Sequence, residues 1–390
     1  MIRRTGVLLA LLLLAGCAST AGTPSSHSPL AKRTATPTPN QTSSSSPNPS
    51  PSPAANSLLA GMTLQQKVGQ LIMVGFPGTE LTPDLQAAFQ QYRFGSVVLT
   101  DGNENAGSAA TLESLLAQIK RAEGPGPGIL ATTNQEGGTV CFRSTGIACA
   151  PGAREQGATG STQVVAQDTT EMAQGLRQLG LQSGLAPDAD VWDGVTPFME
   201  DRSFGTSPTL VSQMVAAAVV ADHAQGIVAV AKHFPGHGSA GDSHAYLPTV
   251  SHSMSTLQST DLPPFQAAVQ AGVDMVMVGH LLVPAIDPNL PTSLSPAAMA
   301  LLRQTLGFQG VIITDDLSMD AITQHYGEAQ AGVMSLQAGA DVVMFSTSVP
   351  VAVQAAQLIM QQVESGAIPE SRIDVSVERV LTLKQRYGLL

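Results

Sequence analysis

Short apolar runs alternate with longer segments of helical spacing along most of the sequence. Segments such as 164–179, 210–225, 296–306 and 351–364 place Ala, Leu, Val and Met at helical intervals. The apolar runs have the length and composition of buried strands, and eight occur, at 71–76, 96–99, 128–132, 184–186, 227–231, 273–278, 310–314 and 341–345. This alternation predicts an α/β protein with a parallel sheet.

A single (β/α)8 TIM-type barrel over residues 57–390 is the architecture that this alternation favours. An open doubly wound sheet would call for a Gly-rich dinucleotide loop or a Walker motif, and the first strand is followed by neither. Barrels of this type typically take about 250 residues, and more than 400 with insertions, so the length suits one domain with long loops.

The first 56 residues lack the alternation and indicate export. An apolar run over 7–14 follows two arginines and is too short to span a bilayer, as in a secretion signal. Small residues then lead to Cys17 in a pattern that resembles the bacterial lipobox. We therefore predict a signal peptide over 1–17 and a lipid on Cys17, with ordinary cleavage nearby as the alternative. Residues 18–56, almost wholly Ser, Thr, Pro, Ala and Asn, predict a disordered tether to the extracytoplasmic face of the membrane.

Charge and cysteine content narrow the partners. Asp and Glu number 29 against 18 Lys and Arg, and no basic cluster follows the signal, so nucleic acid is excluded as a partner. No cofactor motif is present, and we expect a monomer without a cofactor. Cys141 and Cys149 in an exported chain predict a disulfide near Arg143, and two unpaired thiols are the alternative.

Polar residues follow several of the predicted strands. They occur at 134–138, at 232–244, at His280 and at Asp315–Asp316. Because the carboxyl ends of parallel strands share one face, we expect these groups to line a common pocket.

Asp315 is the candidate nucleophile of this pocket. A carboxylate at the end of a β-branched strand can attack the anomeric carbon of a sugar and form a glycosyl-enzyme intermediate. The structural alternative is a carboxylate that caps the following helix, a role that Asp316 or Ser318 would also fit.

The segment 232–244 contains three histidines and an aspartate in a stretch too rich in Gly and Pro to be helical. His244 is the candidate proton donor, since Asp242 lies close enough in a bent loop to bond one imidazole nitrogen and fix its tautomer. His237 could equally be a structural histidine bonded to the loop. A zinc site is a competing hypothesis, with ligands His233, His237, Asp242 and His244.

Two further residues lie in the long irregular stretch after the fourth predicted strand. Arg202 could clamp substrate hydroxyls, or it could form a salt bridge with the adjacent Glu200 or Asp201. Trp192 could stack on a sugar ring, although plain packing is more common for a lone tryptophan.

Taken together, the motifs resemble glycoside hydrolase family 3, specifically its β-N-acetylglucosaminidase branch. The segment 232–244 is similar to the K-H-F-P-G-H-G…D-S-H signature of that branch. Further similarity lies along the folded part, at 67–71, 135–138, 186–190, 202–205, 284–287 and 314–319.

The resemblance implies a (β/α)8 barrel that removes terminal β-linked N-acetylglucosamine with retention, often from peptidoglycan or its fragments. It implies Asp315 as the nucleophile and the Asp242–His244 pair as the acid/base. It also implies sugar-hydroxyl contacts from Arg202, Lys232 and His233.

The sequence departs from the family pattern in three places. Asn134 stands where the family usually has an Asp that binds a sugar hydroxyl, so one negative charge is missing. The arginine that usually follows eight positions later falls at Arg143, nine positions on. Three residues separate Gly238 from Asp242 where four are common. These departures support an alternative hypothesis of a non-catalytic, wall-binding lipoprotein on the same barrel, and a family 3 β-glucosidase is a third.

Overall fold

The computed structural model describes residues 53–390, so the predicted signal peptide, Cys17 and most of the predicted tether lie outside the described residues. Within 53–390, seven parallel strands form one sheet in the order β3-β2-β1-β7-β6-β5-β4. The strands are β1 Ile72–Val74, β2 Ser96–Val98, β3 Leu130–Thr132, β4 Val230–Phe234, β5 Met275–Val278, β6 Val311–Asp316 and β7 Val342–Phe345. The prediction of a parallel α/β sheet is confirmed.

The sheet curls until its two ends, β3 and β4, lie on either side of one irregular segment, residues 183–188. Parallel bridges pair Thr132 with Ser183 and Asp188 with Lys232, and the Val230 N–H donates to the Ala186 carbonyl over 2.7 Å. This segment takes the eighth position of a TIM-like barrel. The prediction of a regular strand at 184–186 is wrong, because Leu185 has a left-handed backbone conformation (φ 46°) and Pro187 has no N–H to donate to a ladder.

Helices cover the outside of the sheet. The α-helices of residues 53–390 are α1 Pro53–Gly61, α2 Leu64–Gln70, α3 Pro83–Tyr92, α4 Ala109–Glu123, α5 Ala153–Ala158, α6 Thr162–Gln178, α7 Pro208–Ala224, α8 Met254–Thr256, α9 Leu262–Gln270, α10 Pro296–Ala300, α11 Asp320–Thr323, α12 Glu328–Ala338, α13 Val349–Glu364 and α14 Glu370–Arg386. The four helices expected from spacing match α6, α7, α10 and α13, with α10 continued by a π-helical turn, Leu301–Thr305. Helix α1 begins inside the segment predicted as tether. No helix among the described residues has the length and apolar content needed to cross a membrane.

Two apolar core clusters hold helices against the sheet. One includes the buried faces of α2–α4 and α12–α14, and the other lies around α7 and α9. In the second, Phe234 of β4 meets Phe265 of α9 edge to face, with ring centroids 5.3 Å apart. The strand thereby carries Lys232 and His233 on a rigid, fully packed element.

Buried aspartates at the amino ends of two strands fasten the last helix beneath the barrel. Asp341, just before β7, accepts from Ser376 Oγ over 2.6 Å and pairs with Arg379 at 3.0 Å. Asp274, just before β5, pairs with Arg386 at 2.7 Å. These aspartates serve the packing of α14, at the end of the barrel opposite to the carboxyl ends of the strands.

The strand bounds change the predicted position of the chemistry. The strand expected at 227–231 is observed at Val230–Phe234, and β6 extends through Asp316. Lys232 and His233 therefore lie on a strand, whereas the sequence placed them in a loop, and Asp315 lies within β6 instead of just after it. Strand backbones hold these side chains more firmly than a Gly-rich loop would.

Candidate active site

A cavity of about 630 Å³ opens at the carboxyl ends of the strands. Six of the predicted site residues line it: Asn134, Arg202, Lys232, His233, His244 and Asp315. Methionine side chains form an apolar part of the wall, from Met277, Met319 and Met344. The volume lies within the range of small-molecule sites.

Asp315 lies at the end of β6 with only 5% of its surface exposed. One carboxylate oxygen accepts the N–H of Asp316 over 2.8 Å. Burial alone would raise the pKa of Asp315, but the nearby imidazoles of His233 and His280 and that N–H lower it to about 2. The carboxylate is thus ionised at neutral pH and faces the cavity, as a nucleophile requires.

The residues after Asp315 take the structural roles that the sequence left open. Asp316 accepts the N–H of Ser318 over 3.1 Å and the N–H of Ser346 over 3.0 Å. His280, predicted as a strand-end polar group, is fully buried, with Nε2 donating to the Asp316 carbonyl over 2.9 Å. Burial lowers the pKa of His280. No side chain among the described residues caps the following helix α11, Asp316 bonds the turn before it and the end of β7, and Asp315 is left for the cavity.

A buried ion-pair network forms one side of the cavity, and we call it the floor: Glu136, Asp188, Asp190, Arg202, Lys232 and His233. Arg202 makes a two-pronged contact with Glu136, with both N···O distances at 2.9 Å. The Lys232 ammonium pairs with the same carboxylate. The alternative pairing of Arg202 with Glu200 or Asp201 is not what the structure shows.

The floor also fixes the tautomer of His233. Its Nδ1–H donates to Asp190 over 2.9 Å, and the Arg202 guanidinium lies 3.4 Å from Nε2. An Nδ1–H tautomer leaves Nε2 as an acceptor, so the ring is held in one orientation. Asp190 also accepts the N–H of His237 over 2.5 Å, which ties the floor to the loop after β4.

The three floor carboxyl groups have different protonation preferences. Burial would raise the pKa of Glu136, but Arg202 and Lys232 hold it well below its ordinary value. Burial would also raise the pKa of Asp190, and the His233 hydrogen bond lowers it. Burial raises the pKa of Asp188 well above its ordinary value, and the adjacent Glu136 carboxylate adds to this shift. Asp188 is therefore the most readily protonated of the three carboxyl groups.

A metal fits this region poorly. Within the described residues, one group of three potential ligands has its atoms within 4.8 Å of one another, namely Asp188, Asp190 and His233. Arg202 Nε already lies 3.5 Å from Asp188, and its positive charge opposes a second cation there. The zinc set of His233, His237, Asp242 and His244 proposed from sequence does not form this group.

The Asp242–His244 pair is exposed at the rim of the cavity. His244 Nδ1 donates to Asp242 over 2.7 Å, with 58% of the His244 side chain and 44% of the Asp242 side chain exposed. Burial would raise the pKa of Asp242, but the His244 N–H groups lower it. The bond fixes Nε2 as the atom that can exchange a proton with a ligand in the cavity.

His237 belongs to the loop and not to the cavity. It is buried, Nε2 lies 3.3 Å from Ser243 Oγ, and burial lowers its pKa to about 4. The backbone that follows His237 is packed so closely that a Cβ on Gly238 would lie 1.8 Å from the Val191 carbonyl oxygen. The loop therefore needs glycine at this position, and His237 acts as a structural histidine.

Arg143 and Trp192 do not line the cavity. Arg143 is exposed and donates to the Gly138 carbonyl. Nearby, Cys141 and Cys149 form a disulfide with a Cα–Cα distance of 6.0 Å. Trp192 is buried, donating Nε1–H to the Thr196 carbonyl over 2.8 Å, and so takes the packing role. Asn134 is exposed at the cavity wall.

Sequence reasoning assigned no role to four residues that shape the site: Glu136, Asp188, Asp190 and Phe198. Glu136 follows β3, and Asp188 and Asp190 follow the predicted strand 184–186. The position of these three acids after strand-like runs was therefore a signal in the sequence. Phe198, half-buried in the cavity wall, carried no such signal.

A TIM-like barrel with an ionised buried carboxylate and an exposed histidine around one cavity at the carboxyl ends of its strands has the architecture of a barrel glycosidase. Residues 63–383 match the N-terminal domain of glycosyl hydrolase family 3. The chain belongs to this family, and it is a glycosidase.

Individual relatives agree with this assignment. LpqI of Mycobacterium tuberculosis, named a beta-hexosaminidase, is 34% identical over 329 residues, which are 82% of each chain. The solved structure of M. tuberculosis LpqI superposes with a TM-score of 0.75 at 33% identity, covering 85% of this chain and 96% of LpqI. A family 3 beta-N-acetylglucosaminidase from Paenibacillus gives a TM-score of 0.81 at 37% identity over 84% of this chain, which spans 63% of that protein.

Proposed function

We propose that this chain is a retaining, exo-acting β-N-acetylglucosaminidase that releases terminal β-linked N-acetylglucosamine through a glycosyl-Asp315 intermediate. The Paenibacillus relative is named a beta-N-acetylglucosaminidase, and LpqI is named a beta-hexosaminidase. Both names support an amino sugar as the residue that is released. The observation that carries the proposal is one cavity that holds both a buried, ionised Asp315 and the exposed, Asp242-bonded His244.

In the first step, a free oxygen of Asp315 attacks the anomeric carbon as the bond to the leaving oxygen breaks. The proton on His244 Nε2 passes to that oxygen, and the electron pair of the broken bond leaves with it. Asp242, on Nδ1, stabilises the imidazolium from which this proton departs.

In the second step, the now neutral His244 Nε2 takes a proton from water as the water oxygen attacks the anomeric carbon. The bond to Asp315 breaks, its carboxylate is regenerated, and two inversions give overall retention. The exposure of His244 suits this step, because water must reach the same nitrogen that the leaving group has vacated.

The floor supplies fixed hydrogen-bond groups for the hydroxyls of the terminal sugar. Arg202, Lys232 and His233 line the cavity, and the buried Glu136 carboxylate balances the charges of Arg202 and Lys232. Groups held in this way need little reorganisation when substrate binds. A closed floor also favours a terminal residue over an internal one, which supports exo action.

The natural substrate and location are part of the proposal. We infer that the substrate is peptidoglycan fragments or a related amino-sugar glycan, and that a lipid on Cys17 anchors the chain to the membrane. Replacement of Cys17 by Ser should move the protein from the membrane fraction to the soluble fraction of the producing cells.

A chromogenic β-N-acetylglucosaminide tests the activity on protein lacking residues 1–17. We expect hydrolysis by wild type and a loss of at least about a thousandfold in Asp315→Ala. Asp320→Ala, an exposed aspartate five residues later, is the matched control and should retain activity. Wild-type hydrolysis no faster than the Asp315→Ala level between pH 4 and 8 would favour the non-catalytic alternative.

The His244 role is tested by the leaving group. His244→Ala should lose about a hundredfold or more with a sugar leaving group, and much less with an activated phenol that departs without protonation. An equal loss with both substrates would contradict the acid role.

A further inference from the structure

We propose that Phe198 is the positioning residue of the acid/base, holding the His244 imidazole so that Nε2 stays turned toward the cavity. This inference rests on the proposed function for its kinetic consequence, and on the geometry of the rim for the contact itself. Nothing in the relatives' names or in the family assignment gives Phe198 a role.

His244 needs such a support because its bond to Asp242 is exposed to water. More than half of the His244 side chain and 44% of the Asp242 side chain are accessible. Exposed ion pairs are weak and screened, and a free side chain loses rotamer entropy when it is held in one geometry. The bond to Asp242 fixes which nitrogen carries the proton, but a single exposed contact leaves the ring free to swing with its partner.

Phe198 supplies the second contact. Its ring meets the His244 ring edge to face, with centroids 5.8 Å apart and planes at 68°. Edge-to-face packing at this distance is a favoured arrangement of aromatic rings. Phe198 and His244 both line the cavity, so the contact lies on the side where the leaving group must depart.

Phe198 is itself firmly placed. It is the central residue of a 3-10 turn, Pro197–Met199, in which Met199 is fully buried. The Arg202 guanidinium lies over the Phe198 ring at 5.2 Å, and the buried His237 ring lies 5.2 Å away. A partly exposed phenylalanine thereby joins the floor, the buried part of the loop and the exposed acid/base.

The consequence is specific to proton transfer. A displacement of about 1 Å in a catalytic group can cost about a hundredfold in rate. If the ring of Phe198 is removed, His244 loses its lateral contact, whereas Asp315 keeps its contacts and Arg202, which loses one stacking contact, keeps both bonds to Glu136. Reactions that need protonation of the leaving oxygen should therefore suffer, and reactions that do not need it should be spared.

The kinetic test compares wild type, Phe198→Leu and Phe198→Ala as full-length protein. Leu keeps most of the apolar volume without a ring, and Ala removes both. We expect kcat/KM to fall by about 30-fold to 100-fold in Phe198→Ala with a sugar leaving group, and by less than about threefold with a dinitrophenyl group. Phe198→Leu should show the same selectivity. Val195→Ala is the control, since Val195 lies on the same stretch and is 79% exposed.

A second readout does not need turnover. The His244 Cε1–H resonance, assigned through His244→Ala, should move when the ring current of Phe198 is lost in Phe198→Leu. An unchanged resonance would overturn the proposal whether or not the protein is active. Equal losses of kcat/KM with both leaving groups would also overturn it, because Phe198 would then act as a general binding wall. A shifted resonance in an inactive wild type would retain the contact and reject the proposed function.

Discussion

The two sides of the cavity are built in opposite ways. The floor places Glu136, Arg202 and Lys232 in a buried network whose side chains are almost fully removed from water. The Asp242–His244 pair on the rim has about half of its surface in solvent. Both sides use ionisable groups, yet one holds its charges fixed while the other is placed to exchange a proton with its surroundings.

This difference separates two requirements of glycoside hydrolysis. Binding a sugar and stabilising charge benefit from dipoles that are fixed before the substrate arrives. Acid/base catalysis needs a nitrogen that can meet first a leaving oxygen and then a water molecule. The floor meets the first requirement and the rim meets the second. Substitutions in the floor should therefore affect all substrates alike, and substitutions at the rim should discriminate between leaving groups.

The largest effect is expected from Glu136→Gln. The change leaves the buried Arg202 and Lys232 without their shared carboxylate, and an uncompensated buried charge costs about 3–5 kcal/mol. We expect kcat/KM to fall by about a thousandfold for every leaving group, together with lower stability. Glu200→Gln, an exposed neighbour of the Arg202 segment, is the control. A loss confined to poor leaving groups would contradict the division between floor and rim.

A smaller and more selective effect is expected within the floor, from Asp190→Asn compared with Asp188→Asn. Asp190 accepts the His233 Nδ1–H and has a lowered pKa, whereas burial raises the pKa of Asp188 well above its ordinary value. Asn mimics a neutral carboxylic acid but not a carboxylate. We expect about a hundredfold loss of kcat/KM in Asp190→Asn and less than about fivefold in Asp188→Asn at pH 7.

Equal and large losses in both variants would show that Asp188 carries a negative charge. A pH profile sharpens the comparison, since Asp188→Asn should leave its shape between pH 5 and 8 unchanged. Thermal unfolding of both variants, measured beside wild type, separates lost activity from lost fold.

Much of this architecture follows from the sequence pattern. Seven of the eight predicted strands form, because each is an apolar run that the barrel buries on both faces. The exception, 184–186, is as apolar as the others, but the backbone at Leu185 and Pro187 cannot continue a ladder. The pattern of apolar residues predicts which segments are buried, but it does not predict the backbone conformation that each buried segment adopts.

The position of the site residues could be predicted from the sequence, but most of their side-chain pairings could not. Strand ends indicated where polar groups would gather, and Asp315, His244 and Arg202 do line one cavity. The pairing of Arg202 with Glu136 joins residues 66 positions apart, and local sequence instead suggested Asp201 or Glu200. Asp274 and Asp341 also adjoin apolar strands, as Asp315 does. They precede their strands, however, and so lie at the end of the barrel opposite to the cavity, where they pair with residues of α14.

Removal of the disulfide tests how much the loop 141–149 contributes to stability and to activity. Cys141 and Cys149 are eight positions apart, and closure of a loop this short stabilises a fold by about 2–3 kcal/mol in the chain-entropy model. We expect the double variant Cys141→Ser/Cys149→Ser to lose up to that much stability. Its kcat/KM should change less than about twofold, because the nearby Arg143 does not line the cavity.

The control for the disulfide is wild type treated with a reductant, which should match the double variant in both unfolding and activity. A loss of activity larger than about tenfold would mean that the loop supports the substrate directly. Arg143→Ala would then show whether Arg143 is the residue that the bridge positions.

The smallest effect is expected from His237, which joins the buried side to the loop. Its pKa is about 4 in the folded protein because burial disfavours the imidazolium, against about 6.5 in an unfolded chain. The unfolded state therefore binds more protons between these values, and this group's contribution to stability falls as pH is lowered. From pH 7 to pH 5 the loss is about 2 kcal/mol. Asp261, with a pKa raised by burial to about 6, acts in the opposite direction, so the variant must be compared with wild type.

His237→Gln should reduce the fall in denaturant-measured stability between pH 7 and pH 5 by that amount, and His325→Gln, at an exposed histidine, should not. An unchanged slope in His237→Gln would mean that His237 is protonated in the folded protein, and that the loop is as open to solvent as the rim it supports.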